Sequence, residues 1–352
     1  MLSTFPIYQD PAPRAARLGL AFDTGLRLPS GTISVYRPRA GEDFAPLDQR
    51  RVRMVQSFRT DYDALARMGW DVGTTPAPAP VAMICLPRAK AEALARIAEA
   101  VAQGAELVLV DGQKTDGVEA VLKALRARVA VSDPISKAHG KLFWFAPGTA
   151  DFSDWAASVH IVQDPTLGDF RTLPGVFSAD AVDTGSALLA QSLPETLPAR
   201  MADLGAGWGY LSAACLARKG VTELHLVEAE AQALDLARIN IRDPRAQFHW
   251  ADATGCSLPV SLDGIVMNPP FHIGRNAQPA LGLAFIAHAA RMLGARGTVW
   301  MVANRHLPYA DALERCFARV EVLTETSAFR IWQAKTPRKE TQSVARKQGQ
   351  VR

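Results

Sequence analysis

Arg200-Met201-Ala202-Asp203-Leu204-Gly205-Ala206-Gly207-Trp208-Gly209-Tyr210 is the stretch on which the fold turns. The apolar run at 200–204 predicts a strand and residues 210–218 predict a helix, with three glycines between them. Glycines at such a junction reach turn dihedrals closed to other residues and let the backbone approach a ligand. Strand, glycine loop and helix N-terminus together make the binding corner of an open α/β sheet. Nicotinamide dinucleotides use the same context, so the loop alone leaves the ligand open.

Downstream of this corner the alternation continues. Strands are expected at 223–227, 247–250, 264–267 and 298–302, with helices at 231–239, 281–293 and 310–317. Two closing strands, 320–324 and 329–334, read as a hairpin, and a helix at 186–193 precedes the series. Seven strands with interleaved helices predict a doubly wound, mixed sheet. Upstream, strands at 81–86, 106–110 and 141–145 alternate with helices at 89–103 and 117–128. This second βα series predicts a parallel sheet and an internal duplication. Its polar segment Asp111-Gly112-Gln113-Lys114-Thr115-Asp116-Gly117 stands where a cofactor loop would want glycine, so the first half reads as a non-catalytic partner. Residues 1–80 are turn-rich and give no pattern, and 74–80 (Thr-Thr-Pro-Ala-Pro-Ala-Pro) reads as a spacer. Pro165, Gly168, Pro174 and Gly175 mark a boundary between 150 and 180. The expected division is 1–165, 166–334 and a basic tail, 335–352.

Three further positions carry chemistry. Glu228 ends the strand after the glycine loop, 23 residues beyond Gly205, where a carboxylate can accept both hydrogen bonds of a ribose diol. Asp252 ends the next strand and can sit beside an adenine ring, which Trp250 or Ala253 would line; an ordinary surface aspartate is the competing reading. Asn268-Pro269-Pro270-Phe271 follows the fourth strand, 59 residues after Gly209, at the carboxyl end where open sheets bind ligands. Prolines fix the backbone and lack an N–H. The Asn268 side-chain oxygen and the Pro269 carbonyl can therefore accept the two hydrogens of a planar amine, with Phe271 stacking on its base. That constellation decides for methyl transfer from S-adenosylmethionine over hydride transfer.

Composition bounds the rest. The chain has 352 residues, 48% apolar and 21% charged, as expected of a globular protein of two domains. It has no apolar run of membrane-spanning length, and Asp10 with neighbouring prolines does not read as a secretory signal. Cys85, Cys215, Cys256 and Cys316 are scattered, as are the seven histidines. No zinc or other metal site is expected, and a reducing, cytoplasmic compartment is. Net charge is +4, yet residues 335–352 carry six basic residues against Glu340 alone. Such a tail can contact phosphates or serve as a solvated end.

With these motifs in place, the chain resembles class I S-adenosylmethionine-dependent methyltransferases, and within them the bacterial 16S ribosomal RNA guanine-N2 methyltransferases of the small-subunit type. The resemblance covers nearly the whole chain and is strongest over 170–334. It is carried by Pro174-Gly175-Val176-Phe177-Ser178, Asp183-Thr184-Gly185-Ser186, the loop from Asp203 to Gly209, Asn268-Pro269-Pro270-Phe271-His272-Ile273-Gly274 and Val302-Ala303-Asn304-Arg305-His306-Leu307-Pro308-Tyr309. It implies two tandem Rossmann-like domains, the first a degenerate duplicate that helps with RNA binding and folding. It also implies that Asp203, Gly205, Ala206, Gly207 and Gly209 hold the methionine part of the cofactor. Glu228 would hold the ribose, Asp252 with Ala253 would lie near adenine, and Asn268 to Phe271 would hold the target amine. The implied substrate is ribosomal RNA. The chain departs from the family pattern at Ala206, usually cysteine, and at Ser178-Ala179-Asp180. Glutamine-methylating enzymes of release factors usually carry tyrosine where Phe271 stands. A related 23S guanine-N2 enzyme shares almost every landmark, and a cofactor-retaining RNA-binding protein without turnover is the non-enzymatic alternative.

Overall fold

The computed structural model describes residues 12–270, 272–273, 276–277 and 279–338. Contacts divide the chain into two compact units. The first comprises 1–162, 171–180 and 229–233; the second comprises 163–170, 181–228 and 234–352.

The first unit opens with α1 (Ala12–Asp23), β1 (Ile33–Tyr36), β2 (Val52–Val55), α2 (Arg59–Arg67) and β3 (Asp71–Gly73). It continues through β4 (Val81–Cys85), α3 (Lys90–Ala102), β5 (Leu107–Gln113), α4 (Val118–Arg126), β6 (Ile135–Lys137) and β7 (Gly140–Phe145). These strands form one seven-stranded sheet in the order β3-β2-β1-β4-β5-β7-β6. β4 shows why the chain folds this way. Val81, Met83 and Cys85 pack on one face with Leu18 and Ala21 of α1, while Ala82 and Ile84 pack on the other with Ala93 and Ile97 of α3. A strand covered on both faces reads as a continuous apolar run.

A short hairpin follows, β8 (His160–Asp164) with β9 (Gly168–Thr172). Next come α5 (Thr184–Ser192), β10 (Arg200–Leu204), α6 (Tyr210–Leu216), β11 (Glu223–Glu228), α7 (Ala231–Asn240) and β12 (Ala246–Trp250). β13 (Leu262–Met267), the two-residue pair β14 (His272–Ile273) and β15 (Asn276–Ala277), α8 (Pro279–Met292), β16 (Leu293–Asn304), α9 (Ala310–Cys316), β17 (Phe317–Glu325) and β18 (Phe329–Pro337) complete the chain. The sheet of the second unit runs β12-β11-β10-β13-β16-β18-β17, with β18 antiparallel to both neighbours. Strand for strand this repeats the first sheet, so the duplication expected from the alternation is present as topology. In its core, Ala202, Leu204, Ile265, Met267, Val299 and Met301 of the sheet meet Phe285, Ile286 and Ala289 of α8 and Leu313 of α9.

Three expectations need correction. The first-half sheet is not wholly parallel: β7 runs antiparallel to β5 and to β6. The unread region before residue 80 supplies three of its strands. Finally, the segment from Asp111 is not the counterpart of the glycine loop, because Asp111, Gly112 and Gln113 lie inside β5, whose counterpart by sheet order is β16. The counterpart of β10 is β1, and the turn after it reads Arg37-Pro38-Arg39-Ala40. Arg37 there adopts φ +57 and reaches Ser57 Oγ at 2.9 Å and Glu92 at 3.1 Å. Side chains fill the place where the second unit keeps bare backbone. At the C-terminus, β18 continues to Pro337 and Lys335 pairs with Thr298, three residues past the expected end. Residues 339–352 lie outside the described residues.

Candidate active site

Parallel register delivers the site residues to one edge. Leu204 of β10 lies beside Val227 of β11 on one side and Met267 of β13 on the other. The chain leaves these strands through Gly205, Glu228 and Asn268, so the three lie along the carboxyl edge of the sheet. Glu228 is itself in register with Trp250, the last residue of β12.

The glycine loop is tied down from below and open above. The N–H groups of Gly205 and Ala206 both donate to the Val227 carbonyl, at 2.9 and 3.1 Å. Gly205, Gly207 and Gly209 have φ of +78, +54 and +98, which explains why glycine stands at all three. A Cβ at Gly207 would meet nothing within 4 Å, whereas one at Gly209 would stand 3.1 Å from Ile241 Cγ1. Gly207 therefore borders open space, and Gly209 lets α6 close against α7.

Two carboxylates flank the loop. Asp203 is wholly buried; Ser212 Oγ donates to its Oδ2 at 2.7 Å, while Oδ1 has no partner. Burial pushes its pKa up to about 7; the Ser212 bond holds it lower and the Glu228 charge adds to the rise. Glu228 Oε2 accepts the Gly207 N–H at 2.7 Å, which fixes the carboxylate to the loop. An orphaned buried carboxylate oxygen, a bare backbone turn and an acid beside it fit a nucleoside cofactor with a cationic methionine arm.

The expected adenine edge lies next to these groups. Asp252 stands two residues beyond β12 and does not end it; its Oδ1 accepts from Thr254 N at 2.8 Å and Thr254 Oγ1 at 2.7 Å. Ala253 is buried and joins the core. The turn is braced from α8, where His288 Nε2 donates to the Cys256 carbonyl at 2.8 Å. Burial lowers the His288 pKa.

Asn268 is half-buried, Pro269 is buried and Pro270 is exposed. Asn268 Nδ2 donates to Asp183 Oδ2 and to Ser186 Oγ, both at 2.9 Å. Asp183 caps α5, its Oδ2 also accepting the Ser186 N–H at 2.7 Å. Sequence reasoning gave these two residues only as landmarks; an aspartate three positions before a serine at a helix start was the available signal. Phe271, expected to stack on the base, lies outside the described residues. The expected cofactor residues Asp203, Gly205, Ala206, Gly207, Gly209 and Glu228 and the expected catalytic Asn268 thus share one edge of one sheet.

A doubly wound sheet with a glycine loop, a strand-end acid and an Asn-Pro-Pro turn defines a class I S-adenosylmethionine-dependent methyltransferase. The Methyltransferase small domain family matches residues 168–333. The Ribosomal RNA small subunit methyltransferase C of Hahella chejuensis is 31% identical over 247 residues, covering 65% of this chain and 69% of that protein. Its namesake in Shewanella loihica is 30% identical, covering 65% of this chain and 68% of the relative. The T. thermophilus 16S rRNA N2 methyltransferase, solved with AdoMet and guanosine, superposes with a TM-score of 0.77 at 23% identity, over 94% of this chain and 93% of that one. The chain belongs to the ribosomal RNA small subunit methyltransferase C family.

Proposed function

We propose that the chain transfers a methyl group from S-adenosylmethionine to the exocyclic N2 amine of a guanine in 16S ribosomal RNA. The observation that carries this is the Asn268 amide. Both of its hydrogens are taken by Asp183 and Ser186, so its oxygen is left as an acceptor at the carboxyl edge. A guanine amine is conjugated with its ring, and its lone pair is a poor nucleophile while the group is flat. Two fixed acceptors, Asn268 Oδ1 and the Pro269 carbonyl, favour pyramidalisation and so stabilise the transition state more than the ground state. S-adenosylmethionine, when bound, supplies the electrophilic methyl group. Gly205, Gly207 and Gly209 would hold its methionine arm, Glu228 its ribose diol, and Asp252 with Ala253 the adenine side. Asp203, buried at the end of the loop strand with one oxygen unpartnered, would supply the acid beside that arm.

The first unit serves as a degenerate duplicate that helps hold RNA. Support comes from a cleft bordered by Lys114, Lys137, His139 and Lys141; among the described residues only Lys141 of these has an acidic partner, Glu119 at 2.7 Å. Ala138 and His139 form the hairpin tip between β6 and β7 with φ of +50 and +57, costly for side-chain-bearing residues. The His139 carbonyl accepts the Lys114 N–H at 2.9 Å, which pins that tip to the cleft. Four free cysteines support a cytoplasmic enzyme. No described helix is long and apolar enough to cross a membrane.

The test is incubation of the full chain with labelled S-adenosylmethionine and separate 16S and 23S RNA, followed by nucleoside analysis. N2-methylguanosine in 16S RNA is expected. Label in 23S RNA alone, or in adenosine, would contradict the assignment.

A further inference from the structure

The Asn268 side chain reaches its orientation through a residue with no assigned role. A planar amide presents an acceptor face or a donor face depending on a half-turn about its last torsion, and the two are nearly equal in shape. In the flipped form Asn268 would offer N–H groups to the target amine, and the amine's hydrogens would lose an acceptor. Two acceptors prevent the flip: Asp183 Oδ2 and Ser186 Oγ each accept from Asn268 Nδ2 at 2.9 Å. In the flipped form the amide oxygen would face a carboxylate oxygen, a repulsive contact.

Asp183 performs this while fixed in place itself. The same Oδ2 caps α5 through the Ser186 N–H at 2.7 Å, so the carboxylate is anchored to the helix start and not to a loose loop. Gly185 keeps room for it: a Cβ there would lie 3.1 Å from Asp183 Oδ2 and 3.0 Å from Phe329 Cε1. The segment Asp183-Thr184-Gly185-Ser186 thus supplies an anchored acceptor, a residue without side-chain bulk, and a second acceptor one helical turn along. We propose that Asp183 is a positioning residue for methyl transfer, which with Ser186 locks the Asn268 amide with its oxygen toward the target amine. This rests on the methyl-transfer reading above and deepens it.

Asp183→Ser separates the two roles of this side chain. Serine caps helices about as well as aspartate, but its hydroxyl is too short to hold Asn268 as well. The expected result with the full chain is a ten- to hundredfold fall in kcat, the order that small misplacements of a catalytic group cost. KM for RNA, S-adenosylmethionine affinity and thermal melting should stay at wild-type values. Asp183→Asn, which keeps an oxygen at the same place, should recover most of the lost rate. Ser186→Ala removes the other acceptor and should give a smaller fall of the same kind, which keeps the test open if the serine variant folds poorly.

A readout independent of turnover is available because the chain has four asparagines. In cofactor-free protein labelled with 15N-asparagine, Asp183→Ser should shift the Asn268 side-chain amide signals and speed their hydrogen exchange. Wild-type kcat in both Asp183→Ser and Ser186→Ala, or a rate loss matched by equal loss of cofactor affinity, overturns the proposal. Wild-type protein in the same assay keeps the two readings apart. No transfer to guanine N2 by wild type would sink the function, whereas normal transfer by wild type and both variants would sink only the positioning role.

Discussion

Asp203 makes folding stability depend on pH in a direction opposite to most carboxylates, and Asp203→Asn exposes that dependence. Its carboxyl is fully buried and its pKa is pushed up from 3.8 to about 7. At about 1.36 kcal/mol per pKa unit, a shift of roughly three units is worth about 4 kcal/mol as a ceiling. Below pH 4 both folded and unfolded chains hold the proton, and the contribution is fully present. From pH 4 to 7 the unfolded chain releases the proton while the folded chain keeps it, so stability falls as pH rises. Above pH 7 both forms are ionised and the loss is complete. Between pH 5 and 8 the expected loss from this group is about 2 to 3 kcal/mol.

Asparagine at this position stays neutral throughout and can still accept from Ser212, whose Oγ lies 2.7 Å from Oδ2. Urea denaturation of the cofactor-free protein at half-unit pH steps, wild type beside Asp203→Asn, is the assay. The variant should gain on wild type steadily from pH 5 to 7 and hold that advantage to pH 8. Parallel curves would refute the argument, because they would mean that Asp203 is ionised at all these values without cost.

Glu228→Gln keeps an acceptor for the Gly207 N–H but removes the charge, and should weaken S-adenosylmethionine binding about tenfold to a hundredfold in calorimetry, as expected for a hydrogen bond to a charged group. Unchanged affinity would remove Glu228 from the ribose site. Lys114→Glu with Lys137→Glu should weaken RNA binding and flatten its salt dependence without changing cofactor affinity, because both lysines border the cleft of the first unit. An unchanged salt slope would clear that cleft of any RNA contact.

The catalytic half was legible because its signals are local. Strand β13 closes on the apolar Ile265-Val266-Met267 immediately before Asn-Pro-Pro, and the glycines after β10 have positive φ where sequence reasoning asked for it. The first three strands escaped because they are three or four residues long and their helix carries charge inward. Arg17 on α1 is 1% exposed and donates to Asp111 at 2.6 Å, with Arg14 reaching the same carboxylate at 2.8 Å. A buried ion pair 94 residues apart in sequence breaks the apolar period that would have marked α1. The misplaced counterpart of the glycine loop has the same origin: with β1 unseen, a polar segment at the end of the later strand β5 was taken in its place. Asp183 stood in the sequence only as a family landmark, because the helix was expected to begin at Ser186 and the bond to Asn268 exists only in three dimensions.

Asn268→Ala tests the central claim most directly, through single-turnover methyl transfer with saturating 16S RNA, measured beside S-adenosylmethionine affinity and thermal melting. Losing one preorganised hydrogen-bonding group should lower the rate by on the order of 10²–10³. Affinity and melting should remain near wild type, because Asn268 bonds only to Asp183 and Ser186 among the described side-chain contacts and Asp183 keeps its bond to the Ser186 N–H. A folded, cofactor-binding Asn268→Ala protein that transfers methyl groups at nearly the wild-type rate would contradict the account.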